Sequence, residues 1–231
     1  IIRNIVGQSK SSIKIDDIIN NEKILLANFS IGKLGEENSA LLGAMFVTKL
    51  WQAAVARASM PETERKDANL YIDEFQNFAT GTFANILSEA RKYRLNLTVA
   101  HQYMAQLPDE VRSTIFGNIG SIISFRVGGE DASQLEKEYA PTFAAQDFMN
   151  LDMRNFYIKM TVEGQTAPPF SGRTIDFPKP DEDLYSDVVR ISRERWAKPR
   201  QEVERTIGLV EETGVRSDGA IKIESFNEPL V

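Results

Sequence analysis

Asp73 and Glu74 stand side by side at the end of the apolar run Leu70-Tyr71-Ile72, and two adjacent acids at the carboxyl edge of a strand have a defined chemistry. Open α/β sheets place their ligands at that edge. Where the ligand is a nucleoside triphosphate, the first acid holds the water shell of a magnesium ion and the second polarises the attacking water. On that reading Asp73 takes the metal role, through water, and Glu74 the role of base. The competing reading is a solvated strand-to-loop junction whose acids simply stay wet. A second strand end, Val99-Ala100-His101-Gln102, follows the acids after one helical segment. If the two strands are parallel neighbours, Gln102 comes to lie beside the acids. A glutamine amide there can hydrogen-bond both a γ-phosphate oxygen and the attacking water, reporting whether the phosphate is present; otherwise it satisfies loop backbone. His101, with no carboxylate or serine partner in sequence, reads as structural rather than catalytic.

The elements that must position these residues follow from periodicity. Lys23 to Phe29 is a short apolar run that fits a buried strand. From Glu36 to Ala58 the residues Leu42, Met45, Phe46, Leu50, Ala53 and Ala54 recur at helical spacing behind two acids that suit a helix start. Asn69 to Ile72 is a second strand. Thr82 can cap a helix with Phe83, Ile86, Leu87 and Ala90 on its apolar face and Arg91, Lys92 and Arg94 at its end. Cations at a helix carboxyl end gain about 0.3–1 kcal/mol from the dipole, so this cluster has a plain structural explanation. Asn96 to Ala100 is a third strand, Pro108 to Phe116 a short helix and Ile119 to Val127 a fourth strand. Strands separated by helices predict parallel βαβ units, hence an α/β fold with a parallel sheet flanked by helices.

After Asp131 the pattern changes to short helical pieces at Ala132 to Tyr139 and Ala144 to Met149. Asn155 to Val162 alternates like a strand, Glu163-Gly164-Gln165 turns it back, and Pro168 and Pro169 put the returning segment at an edge. Beyond Pro180 helices are expected over Asp181 to Trp196 and Pro199 to Glu211, with a loosely ordered final twenty residues. Two regions result: a body over 1–178 and a charged helical or partly disordered tail over 179–231.

Composition narrows the function classes. There is no cysteine and one histidine in 231 residues, which removes disulfides, thiolate metal sites and histidine-rich zinc sites. Lys and Arg number 27 against 33 Asp and Glu, for a net charge of −6. No broad basic field advertises nucleic acid. The acidity sits mainly in the last 51 residues, which carry 8 basic and 12 acidic groups. The most apolar long stretch, Ser39 to Ala58, is interrupted by Thr48, Lys49, Gln52 and Arg57, and no membrane span is expected. Opening on Ile1, without signal-peptide architecture, the chain reads as part of a longer protein.

A loop that cradles phosphate is missing. The pattern G-x-x-x-x-G-K-[ST] needs glycines for close approach and a lysine on the phosphates. Gly32-Lys33 has Ala27 at the first glycine position and Leu34 in place of the hydroxyl; Ser9-Lys10-Ser11 has Asn4 and Ser9 where glycines belong. Such a loop is expected upstream of Ile1.

Three motifs in order, Tyr71 to Phe78, Leu87 to Arg94 and Ala100 to Tyr103, resemble the carboxyl-terminal ATPase part of conjugative coupling proteins of the TraD/TraG kind. These are HerA/FtsK-type motors of type IV secretion. The similarity runs from about Ile2 to Arg195 and takes in Phe125-Arg126-Val127-Gly128. The resemblance implies a RecA-like P-loop NTPase core lacking its Walker A segment, with Asp73 and Glu74 as Walker B, Gln102 as γ-phosphate sensor and Arg91 as an arginine finger acting on a neighbour's nucleotide; Arg126 is the reserve for that role. It implies ATP and Mg2+ as cofactors, a homo-hexamer around DNA, secretion-channel or relaxosome proteins as partners, and a cytoplasmic position at the inner face of the membrane, reached through an anchor absent from these residues. A ring touches DNA through few pore groups, for which Lys33 and Arg112 are only guesses, so net acidity is a weak objection. A protein-secretion ATPase of the same superfamily shares nearly every motif, and a non-catalytic docking or assembly module keeps the fold without the chemistry.

Overall fold

The computed structural model describes residues 2–208. It divides into two units, residues 12–186 and residues 2–11 with 187–208. Helices are α1 (Ile2–Val6), α2 (Ile15–Asn20), α3 (Ile31–Leu34), α4 (Glu36–Ala56), α5 (Gly81–Glu89), α6 (Asp109–Asn118), α7 (Gly129–Tyr139), α8 (Ala145–Met149), α9 (Tyr185–Trp196) and α10 (Arg200–Thr206). Strands are β1 (Ala68–Ile72), β2 (Leu95–Val99), β3 (Ser121–Ser124), β4 (Asn155–Val162), β5 (Gln165–Thr166) and β6 (Phe170–Arg173).

β1 and β2 form a parallel pair in the register Ala68 to Leu95 through Ile72 to Val99. The crossover between them is α5 followed by a tight 3-10 turn, Ala90–Tyr93, which Arg94 closes in a left-handed conformation. This βαβ unit is the one the sequence predicts around the acids. Its core is built by Val47, Leu50 and Ala54 of α4, Phe83 and Ile86 of α5, Leu95 of β2, and Val111 and Ile115 of α6. The buried positions on α4, Leu42, Gly43, Val47, Leu50 and Ala54, follow helical spacing, while Met45, expected inside, is exposed. Gly43 is required by a close approach: the ring of Phe78 lies where any β-carbon would be.

Two expectations are corrected. Lys23 to Phe29 forms no strand: the segment has no ladder partner, and Ile24 and Leu26 are 91% and 81% exposed. An apolar run becomes a strand only where another strand meets its backbone groups, and β1 pairs with β2 alone among the described residues. The fourth strand does not extend the parallel sheet. β3 pairs antiparallel with β4, which also takes β5 and β6, so the larger sheet is antiparallel. The reason is local, because the β4–β5 hairpin and the returning β6 supply partners at short range. Glu163 and Gly164, both with positive φ, make the two-residue turn that suits such a hairpin. The helical stretch Glu36–Ser59 is long and apolar enough to cross a membrane by length and composition, a test that the core helix of a globular domain also passes, and here it contributes Val47, Leu50 and Ala54 to the core.

A second core lies against β3 and β4. Ala132, Leu135 and Tyr139 of α7 pack with Phe148 of α8 and with Ile122 and Tyr157. Phe143 stacks on Tyr157 with ring centres 3.8 Å apart, and the Tyr139 hydroxyl donates to the Ile122 carbonyl at 2.6 Å. In the smaller unit, Asn4 of α1 donates to the Glu204 carboxylate of α10, which also binds Arg200. Both of those cationic or polar contacts hold the Glu204 carboxyl below its usual range, Arg200 first. The helix expected over Pro199 to Glu211 ends at Thr206; residues 209–211 and the final twenty lie outside the described residues.

Candidate functional site

Pairing continues past the ends of β1 and β2. The Ala100 amide donates to the Ile72 carbonyl at 2.9 Å and the Phe75 amide to the Ala100 carbonyl at 2.8 Å. Between those two anchors Asp73 and Glu74 bulge out, and Glu74 takes a left-handed conformation with φ 49° and ψ 44°. Phe75 then plunges into the core against Phe83, with ring centres 4.4 Å apart. A buried aromatic and two backbone hydrogen bonds thus overcome the roughly 1–2 kcal/mol that a left-handed residue with a side chain costs.

The result is that Gln102 and Glu74 meet. Gln102 Nε2 donates to Glu74 Oε1 at 2.6 Å. The other oxygen, Oε2, accepts from Gln76 Nε2, also at 2.6 Å. Glu74 is partly buried, whereas Asp73 and Gln102 are exposed. Asp73 Oδ1 accepts the Glu74 amide at 3.0 Å, which fixes the carboxylate, and Oδ2 has no hydrogen bond among the described residues. One carboxylate of this kind fits a magnesium ion that arrives on a nucleotide and keeps most of its waters. No group of three His, Asp or Glu that could hold a metal by itself occurs among the described residues.

Arg91 is placed elsewhere. It lies in the turn before β2, and Gln102 lies beyond its far end, so five residues of strand at about 3.3 Å each separate the two along the sheet. Its guanidinium is exposed and makes no hydrogen bond or ion pair among the described residues. Lys92 and Arg94, by contrast, pair with Glu89 and Asp67. Arg126 is exposed after β3, in the other sheet from Gln102. Lys33 is exposed, and Arg112 is tied to Asp109 on its own helix.

His101 is partly buried, and its Nδ1 is buried without a hydrogen-bond partner among the described residues. Burial lowers its pKa, against the opposing pull of the Asp131 carboxylate. Asp131 is itself buried in the first turn of α7 and accepts the Met104 amide at 3.4 Å. Two groups escaped the sequence reading. Gln76 follows the acids by two residues, and only the turn geometry reveals that its amide reaches Glu74. Arg57, which reads as a polar interruption of an apolar helix, is one of the most buried side chains. It donates to Asn20 Oδ1 and to the carbonyls of Ile19, Lys66 and Tyr93. It thereby ties the end of α4 to the turn that carries Arg91, and burial lowers its pKa.

Residues 67–143 match the family described as the TraM recognition site of TraD and TraG. The matched segment contains Asp73, Glu74, Arg91, Gln102 and Arg126, and it bears out the resemblance to the carboxyl-terminal part of TraD/TraG-type coupling proteins. Among solved structures the chain is similar to the genome packaging NTPase B204 from Sulfolobus turreted icosahedral virus 2 in complex with AMPPCP. That similarity has 18% identity and a TM-score of 0.47, and covers 74% of this chain and 76% of that one. The same protein in complex with ATP-gammaS gives 19% identity and a TM-score of 0.47, covering 72% and 74%. No curated protein matches.

Proposed function

We propose that this chain is the part of a conjugative coupling-type ATPase that supplies the water-activating and phosphate-sensing groups of a RecA-like motor. The observation that carries this is the hydrogen bond between Gln102 and Glu74 at the carboxyl edge of a parallel strand pair, within the segment that matches the coupling-protein family. Glu74 accepts the proton of the attacking water, and Gln102 exchanges its carboxylate partner for a phosphate oxygen when nucleotide is present. Asp73 would hold the waters of a nucleotide-borne magnesium ion, which when bound would supply neutralising charge to the phosphates. Arg91, a strand length away from its own Glu74, serves a neighbouring subunit in a homo-hexamer. The glycine loop that cradles ATP is not among these 231 residues and comes from elsewhere in the protein. The body over 1–178 is the motor portion and 179–231 its charged tail, working on DNA at the cytoplasmic face of the membrane.

The description of the matched family favours a second role for the same segment, recognition of a TraM-like relaxosome protein. The two are compatible in one protein. A docking module without chemistry is the distinct alternative. The experiment is to measure ATP turnover of the full-length protein, with whatever sequence precedes Ile1, alone, with DNA and with protein cargo. DNA-stimulated turnover supports the coupling-type motor, stimulation by protein alone points to a protein-secretion ATPase, and partner binding without turnover leaves the docking module.

A further inference from the structure

Each carboxylate oxygen of Glu74 is held by a different glutamine, and only one of them comes from a neighbouring strand. Gln102 reaches Oε1 from the exposed end of β2; Gln76 reaches Oε2 from two residues further along the same turn and is partly buried. Chemistry fixes which way the Gln76 amide points, because reversing it would set two oxygen acceptors 2.6 Å apart. That orientation leaves Gln76 Oε1 buried with no hydrogen-bond partner among the described residues. A buried carbonyl without a partner costs about 1–3 kcal/mol. The adjacent Glu74 also holds a left-handed backbone, so two unfavourable features lie within three residues. Such features persist where the surroundings over-determine them, here the buried Phe75 and the anchor to Ala100.

We propose that Gln76 is a positioning residue that aims the Glu74 carboxylate, an inference that rests on Glu74 being the base. When Gln102 turns its amide towards a phosphate oxygen, Oε1 is released to accept the proton of the attacking water. Oε2 stays tethered to Gln76, so the carboxylate keeps its direction at the moment its other support leaves. Gln76 acts through Glu74 alone, and its loss lowers the rate of the bound complex without weakening nucleotide binding.

The test uses the full-length protein with whatever sequence precedes Ile1, ATP as substrate, and the variants Gln76→Leu, Gln76→Met and Glu74→Gln. Both Gln76 variants are expected to lose roughly 10- to 100-fold in kcat with KM for ATP unchanged, the scale of a misaimed catalytic group. A purely structural glutamine would lower stability and leave kcat of the folded variants in place. If Gln76→Leu does not fold, Gln76→Met decides alone, because its side chain is unbranched and of similar length. Unchanged kcat, or an effect confined to KM, overturns the positioning role while leaving Glu74 as base. No turnover by the unsubstituted protein, or full turnover by Glu74→Gln, overturns the reading of the site and this inference with it.

Discussion

Gln102 and Glu74, 28 residues apart in sequence, are joined by a 2.6 Å hydrogen bond beyond the ends of two parallel strands. The contact exists because the register Ile72 to Val99 brings both strands to the same edge and the Ile72–Ala100–Phe75 ladder folds Glu74 back over it. In the proposed mechanism, an amide that touches both the base and the phosphate links the presence of the phosphate to release of the base. Replacing Gln102 by Leu is therefore expected to cut turnover roughly 100-fold, the usual cost of losing one donor to a developing charge. Equilibrium ATP binding, followed by calorimetry, should change little. Wild-type turnover in this variant would remove Gln102 from the mechanism.

Arg91 and Gln102 lie at opposite ends of β2, so an Arg91 that acts on phosphate acts on a neighbour's. Arg91→Ala subunits mixed with Glu74→Gln subunits are expected to recover ATPase activity that neither shows alone. Inactivity at every mixing ratio, with assembled rings confirmed by light scattering, would count against a finger acting between subunits.

Arg57 has no carboxylate among its hydrogen-bond partners; four backbone carbonyls, of Ile19, Lys66, Tyr93 and Arg94, and Asn20 satisfy its guanidinium instead. Arg57→Met leaves those carbonyls without donors, and a loss of about 3 kcal/mol is expected from urea denaturation. Arg57→Lys keeps the charge but loses the planar fork that reaches Ile19, Lys66 and Tyr93 together, so it is expected to be destabilised in the same direction.

Stability is expected to fall on both sides of neutral pH. Burial raises the pKa of Tyr139 well above its ordinary 10.0, and that of Tyr157 in the same direction. The folded chain then holds these protons more tightly than the unfolded chain. The stabilisation is complete below pH 10 and declines as pH rises above it, by at most about 1.4 kcal/mol per pH unit for each group. His101 has the opposite sign: burial lowers its pKa from 6.5, so the stability it contributes is present above that pH and is lost as pH falls below it. Urea midpoints measured across pH check both limbs. Tyr139→Phe should flatten the alkaline limb, and His101→Gln the acid one.

The local unit around the acids was legible in the sequence, because strand, helix and strand each carry their own periodicity and β1 and β2 are joined by a short crossover. Periodicity gave no partner for Lys23 to Phe29, where Ile24 and Leu26 stay exposed, and none for β3, which a nearby hairpin captures. Pairing is a property of two segments, and one segment's pattern does not contain it. The same limit explains the site. Asp73, Glu74 and Gln102 mark strand ends and could be read; Gln76 depends on a left-handed turn, and Arg57 on five acceptors drawn from three separate segments, none of which has a motif.

Activation of water by Glu74 for ATP hydrolysis is tested most directly by steady-state ATP turnover of Glu74→Gln in the full-length protein. The substitution keeps size and shape and removes the basic oxygen. A loss of about 100-fold or more in kcat with nucleotide affinity preserved is the predicted result. Turnover equal to that of the unsubstituted protein would contradict it.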